Sequence, residues 1–193
     1  ESRTVQGTFR IDFQTSNVLT SEVERSYELV KRPFAVGDAQ IPAGGYDFQN
    51  FRTVYTVGQQ ERVSGTATFE RGGFYSGDKT TAGFRGRIKF GIHLAIEPNV
   101  TVDWIDLPET SEVSKVVSTR ATYNFSPRMF VAALVQYSST STSFSTNVRM
   151  RWEYQPGSEL FVVYTEGRDT APPGSTALEN RGLAVKLTRL FRF

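Results

Sequence analysis

The sequence predicts an all-β fold, an antiparallel meander forming part or all of a transmembrane barrel, and three observations predict it. First, the chain alternates. In Phe84-Arg85-Gly86-Arg87-Ile88-Lys89-Phe90-Gly91-Ile92-His93-Leu94, every second residue is apolar or glycine, and most of those between are basic. A strand sends successive side chains to opposite faces, so one face here is oily and the other charged. Second, helical periodicity is nearly absent, and apolar-polar runs are separated by turn signals. Third, several basic residues share one face of one strand. That does not suit the dry core of a soluble sandwich; it suits a wall with lipid outside and water inside.

Composition agrees. Of 193 residues, 38% are hydrophobic and mean hydropathy is -0.34. No run approaches the roughly 18 consecutive apolar residues of a membrane helix. A low mean is no argument against a membrane barrel, because its strands alternate. Aromatics reach 13%, with 15 Phe and 8 Tyr. There is no cysteine, so disulfides and thiolate metal sites are excluded, and no cofactor or metal is expected. The balance of 22 basic against 20 acidic residues does not point to nucleic acid. Glu1-Ser2-Arg3-Thr4 is not a signal peptide, so an exported protein would be represented here by a mature form or a fragment.

Eleven strands are predicted along a single domain, 1–193. The first, near 3–13, alternates Val5, Gly7, Phe9, Ile11 and Phe13 with Gln6, Thr8, Arg10 and Asp12. Strands near 20–31 and 46–57 flank a long connection from Arg32 to Gly45. The short turn Gly58-Gln59-Gln60 leads into 61–72, and a longer connection, Gly72 to Lys79, into 79–96. Glu97-Pro98-Asn99 reads as the next short turn, before 99–107, where Val100, Val102 and Trp104 alternate with Thr101 and Asp103. Leu107 to Ser111 leads into 112–125, with Val117, Thr119, Ala121, Tyr123 and Phe125 against Ser118, Arg120, Thr122 and Asn124. Ser126-Pro127-Arg128 opens 128–139, and a Ser/Thr tract, Ser138 to Ser143, precedes 143–155. There Val148, Met150, Trp152 and Tyr154 alternate with Asn147, Arg149, Arg151 and Glu153. Gln155-Pro156-Gly157 leads into 158–168, and Asp169 to Glu179 into the last strand, 180–193.

Short and long connections alternate, as periplasmic turns and outer loops do in outer-membrane barrels. Following that parity, the last strand runs inward and Glu1 lies outside. Bacterial single-chain barrels usually have an even strand number, so the chain is expected to be the C-terminal part of a longer barrel.

The first set of each pair is assigned to lipid and the second to the lumen. Inverting the assignment would put Arg149 and Arg151 in hydrocarbon, at about 2–4 kcal/mol each near the midplane. The lumen face then carries Arg10, Asp12, Arg62, Glu70, Arg85, Arg87, Lys89, Asp103, Arg120, Arg149, Arg151, Glu153 and Lys186. Two readings follow: a salt-bridged wall that stiffens the barrel, or a permeation path favouring anions along Arg85, Arg87 and Lys89. Tyr123, Phe125, Trp152, Tyr154, Phe191 and Phe193 fall near strand ends and are expected to form a periplasmic aromatic girdle. His93, the only histidine, shares the phase of Arg85, Arg87 and Lys89 and is expected in the lumen. Asp103, Asp106, Glu109 and Glu112 cluster, but Asp103 belongs to a wall and the others to a loop. No catalytic residues are assigned.

Two resemblances follow. The segment Leu183 to Phe193 resembles the terminal signal of outer-membrane barrels, with Val185, Leu187, Phe191 and Phe193 at the matching positions and Arg189 departing. That implies recognition by the barrel-assembly machinery. Five further motifs are Ile41-Pro42-Ala43-Gly44-Gly45-Tyr46, Gly72 to Gly77, Leu134-Val135-Gln136-Tyr137, Ser145 to Trp152, and Pro156 to Tyr164. In this order they are similar to the C-terminal region of a bacterial family of uncharacterised function. That family joins an N-terminal carbohydrate-binding-like (family 9 type) domain to an outer-membrane barrel. The resemblance implies location in the outer membrane of a Gram-negative bacterium, contact with its lipid, and a missing N-terminal part or protein partner. The function expected is a channel or transport protein for small polar solutes, saccharides by the family's appended domain. The alternative is a membrane anchor with a plugged lumen, and the least favoured is a barrel hydrolase.

Overall fold

A computed structural model describes residues 2–36, 39–171 and 176–191. Eleven strands pair into one antiparallel sheet in the order of the chain, and a two-stranded hairpin stands apart from it. The all-β meander read from the sequence is the observed fold. Contacts divide the chain into two compact units, Glu1–Arg85 with Thr101–Lys115, and Gly86–Val100 with Val116–Phe193.

In the first unit, β1 (Ser2–Asp12) pairs with β2 (Val18–Val30), which continues the sheet through its connection to β5 (Gly44–Val57). β5 pairs in turn with β6 (Val63–Phe74). The registers Val23↔Phe51, Gly7↔Val23 and Thr53↔Phe69 put apolar residues of neighbouring strands on one face. Gln6, Thr8, Arg10, Glu22, Glu24, Asn50, Arg52 and Glu70 lie on the other. A one-residue slip would exchange the two sets, so this patterning fixes the register.

The long connection after β2 contains the hairpin, β3 (Phe34–Val36) and β4 (Ala39–Ile41), which the sequence reading leaves as loop. Ala39 and Ile41 are fully buried, and Leu107 is buried with them. Val36, Tyr46, Phe74, Tyr75 and Ile105 pack around them. Tyr46 lies opposite Glu28, and so on the wet side of β5. The hairpin therefore sits on the polar face of this unit, at the strand ends near its own connection. The Tyr46 hydroxyl donates to the Pro42 carbonyl at 2.9 Å, tying the hairpin's exit to the strand.

Two connections differ from expectation. β6 runs to Phe74 and β7 (Gly77–Phe90) begins at Gly77, so the long loop expected from Gly72 to Lys79 is a tight turn. Tyr75 occupies the left-handed region there, with φ 53°. Arg62, expected in the lumen, lies in the turn before β6. The turn expected at Glu97-Pro98-Asn99 is inside β8 (Leu94–Asp106), and the chain reverses instead at 91–93. Gly91, at φ 65°, supplies the positive dihedral this reversal needs.

In the second unit, β9 (Ser111–Ser126), β10 (Met129–Ser138), β11 (Ser143–Gln155), β12 (Ser158–Asp169) and β13 (Ala177–Thr188) pair successively. Val131↔Met150, Met150↔Val162 and Val162↔Val185 form one apolar row across four strands. β13 ends at Thr188, short of the predicted 193, because the chain turns off the sheet. Leu190 donates its N–H to Ser158 Oγ at 3.0 Å and covers the Pro156-Gly157 turn. Phe191 lies outside the strand, and the expectation for Phe193 falls outside the described residues.

Large apolar side chains are open to the surroundings on one face of each unit: in the first Val5 is 75% exposed and Phe9 62%, and in the second Trp152 is 43% exposed, Leu183 70% and Leu187 68%. Among the described residues the buried hydrophobics are Val30, Ala39, Ile41, Leu107 and Ala132. A soluble sandwich would seal Phe84, Ile88 and Trp152 in a dry core; none of the three is buried.

Candidate functional site

The candidate site is a basic ladder on the wet face of the second unit. Arg149 and Arg151 alternate with Met150 and Trp152 along β11, so both guanidinium groups leave the sheet on the polar side. The register sets Arg151 between Phe130 and Phe161, and Phe161 beside Lys186. One step along, Arg149 stands between Ala132 and Val163. One step further, Arg120 stands opposite Leu134 and Leu134 opposite Asn147. The cations thus rise from a floor of small and apolar residues. Sequence reasoning found the cations but not the floor, because Phe130, Leu134, Phe161 and Val163 break no composition rule and only the register reveals their side. Ala132 is nearly buried; the long stems of neighbouring arginines are the kind of side chain that covers such a floor.

The cations differ in how they are held. Arg151 makes a two-point pair with Glu159, Nη2 at 2.6 Å and Nε at 3.1 Å. Arg120 and Arg149 have no ion pair among the described residues. Glu153 is occupied at the turn, its Oε1 accepting the Gly157 N–H at 3.1 Å. On β7, Arg87 lies 3.7 Å from Glu97, within the second unit, and Lys89 has the same strand phase. Arg85 shares that phase in the first unit. Also in the first unit, Asp103 is held by Lys79 at 3.3 Å and receives the Thr81 hydroxyl at 2.6 Å. Paired groups thus occur in both units, and on the path expected along Arg85, Arg87 and Lys89 the Arg87 guanidinium faces Glu97, whereas Arg120 and Arg149 have no ion pair among the described residues.

His93 is a correction. It stands in the 91–93 turn rather than in a lumen-facing strand. Its Nδ1 lies 2.7 Å from the Asn124 carbonyl oxygen, and its ring stacks on Tyr123 at 6.1 Å. Tyr123 packs edge-on against Phe125 at 4.7 Å, and Trp152 against Tyr154 at 6.0 Å. Tyr154 donates to the Thr188 carbonyl at 3.1 Å. These aromatics gather at strand ends beside short turns, where amphipathic rings such as Tyr and Trp suit a membrane interface. Val185 and Leu187 lie exposed on β13, on the oily side.

In the first unit the wet face carries a recess of about 240 Å³ lined by Glu22, Glu24, Asn50, Arg52 and Glu70, with Arg52 3.8 Å from Glu70. Near the hairpin, burial and then the Glu28 carboxylate push the Tyr75 hydroxyl above its ordinary pKa. Among the described residues no cluster of His, Asp and Glu could hold a metal ion. No helix is long and apolar enough to cross a membrane, which says nothing about crossing with strands.

No family model and no curated protein matches the chain. Two solved structures are similar. One is a KdgM porin in complex with disordered oligogalacturonate, 14% identical, covering 86% of this chain and 88% of that chain, with a TM-score of 0.36. The other is a NanC porin, 10% identical, covering 96% of this chain and 99% of that chain, with a TM-score of 0.39.

Proposed function

We propose that this chain forms part or all of an outer-membrane β-barrel that passes small polar solutes, with a preference for anions. The observation that carries the reading is the division of the sheet into two faces. One exposes Val5 and Phe9 in the first unit and Trp152, Leu183 and Leu187 in the second. The other bears Arg120, Arg149, Arg151 and Lys186. Exposed apolar area of this extent marks an interaction surface, and a strand-built one flanked by aromatics fits a bilayer. Inside the barrel, Arg120 and Arg149 would attract anions, while the apolar floor beneath them would accept the flat faces of sugar rings. The family resemblance implies a carbohydrate-binding-like domain in the same polypeptide, and the terminal-strand resemblance implies insertion by the assembly machinery through Val185, Leu187, Phe191 and Phe193. No catalytic role is assigned to any residue.

Conductance of the protein in a planar bilayer, under a potassium chloride gradient, tests this. The expected result is discrete channels with a reversal potential favouring chloride; a silent but inserted protein removes the channel reading. One observation favours a second reading. The β3–β4 hairpin occupies the wet face of its unit, as an obstruction would in an anchor with a closed lumen.

A further inference from the structure

We propose that one end of the oily face in the first unit holds the phosphate of an anionic outer-leaflet lipid, gripped by Arg3 and Arg25. This rests on the membrane reading above and names a lipid partner for it.

Along β1 and β2 the oily face is apolar at Val5, Phe9 and Val23. Near the connection at 31–43 its character changes. Arg3 stands opposite Tyr27, Arg25 opposite Val5, and Tyr27 opposite Asp47, all on this same face. They surround a pocket of about 430 Å³ lined by Arg3, Val5, Arg25, Ser26, Tyr27 and Asp47. By the parity of the strands, this end is the outer one. An arginine on a lipid-facing surface is costly at the midplane and nearly free at the headgroup level. There an anionic phosphate meets it, and the guanidinium fork fits phosphate oxygens in pairs.

These cations are available. Arg3 has no ion pair among the described residues. Arg25 reaches Asp47 only at 3.9 Å, with the two side chains 76% and 66% exposed. Two arginines against one aspartate leave one net positive charge at the pocket. The oily face of the second unit offers an internal contrast. There Arg168 and Arg181 are consumed by Glu166, at 2.5 Å and 2.9 Å, and Tyr164 donates to the same carboxylate. That cluster is closed on itself. The first unit's pocket has an apolar wall at Val5 for the acyl root, two guanidinium groups for the phosphate, and a phenol at Tyr27 as a further donor.

The test uses the folded protein in phosphatidylcholine vesicles containing either bisphosphorylated lipid A or its dephosphorylated counterpart. Wild type is compared with the Arg3→Gln/Arg25→Gln double variant, and with Arg168→Gln, on the oily face of the second unit, as a control. Flotation with the vesicles reports insertion, and native mass spectrometry reports retained lipid. We expect wild type and the control to retain the phosphorylated lipid, and the double variant to lose roughly tenfold in retention. Millimolar inorganic phosphate is expected to leave retention unchanged. Insertion with equal retention by wild type and double variant overturns the lipid site and leaves the membrane reading standing. Displacement by inorganic phosphate overturns the lipid as ligand in favour of a free anion. Failure of every form to float with vesicles overturns both readings together.

Discussion

His93 Nδ1 lies 2.7 Å from the carbonyl oxygen of Asn124, joining the 91–93 turn to β9. The pair is reinforced by a backbone bond, the Asn124 N–H to the His93 carbonyl at 2.8 Å. The lone histidine is thus a turn fastener. His93→Ala should lower stability by about 1 kcal/mol, the worth of one hydrogen bond. Urea unfolding in micelles measures this. Conductance and ion preference should not move; a change in either would return His93 to the permeation path.

The ladder makes a charge prediction. Arg120→Gln with Arg149→Gln should reduce the anion-to-cation permeability ratio several-fold without loss of folding. Reversal potentials in a salt gradient measure the ratio. Arg151→Gln should act differently, because Arg151 already shares its charge with Glu159. It should change selectivity less and leave Glu159 without its partner.

The two faces should answer differently to the same substitution. Met150→Arg, on the oily side, should cost about 2–4 kcal/mol if it lies near mid-bilayer. Asn147→Arg, on the wet side beside Leu134, should be tolerated within about 0.5 kcal/mol. Unfolding midpoints in vesicles compare them, and equal costs would remove the assignment of faces.

Glycines give a steric contrast. A Cβ at Gly77 would meet the Asp106 carbonyl oxygen at 1.9 Å, backbone that no rotamer change can move. At Gly7, a Cβ would meet nothing within 4 Å. Gly77→Ala should therefore destabilise by several kcal/mol, on the scale of forced backbone rearrangement, while Gly7→Ala should be neutral or mildly stabilising. Denaturant midpoints separate the two.

Ile41 is the most deeply sealed large side chain of the hairpin. Ile41→Ala should cost about 2–5 kcal/mol locally. Because that energy holds the hairpin to the wet face, the variant should also be cut faster by protease between β2 and β5. A rise in conductance in the same variant would identify the hairpin as the obstruction; unchanged conductance would set that second reading aside.

The alternation made the sheet legible. Val148 to Tyr154 against Asn147 to Glu153 could belong to one geometry only, and the eleven paired strands follow the predicted ones closely. The misreadings have local causes. Glu97-Pro98-Asn99 carries a stronger turn signature than Gly91-Ile92-His93, but Gly91 alone provides the left-handed dihedral. Tyr75 turns tightly without a glycine of its own, its ring packed edge-on against Phe34, Tyr46 and Phe48, contacts made from distant parts of the chain. The hairpin was hidden for the same reason: Phe34 to Ile41 is too short to show a period, and its burial depends on Leu107. Of the candidate site, the arginines were visible and their apolar neighbours were not, since a register is a relation between strands.

The floor under the ladder has a consequence for calibre. Ala132 is a small residue between strands that carry long cationic arms, and its side chain is almost wholly hidden. Its size sets how low a guanidinium can recline. A bulkier residue at that one spot would prop Arg149 upright into the interior, narrowing the space and moving the positive charge toward its axis, with every ionisable group retained.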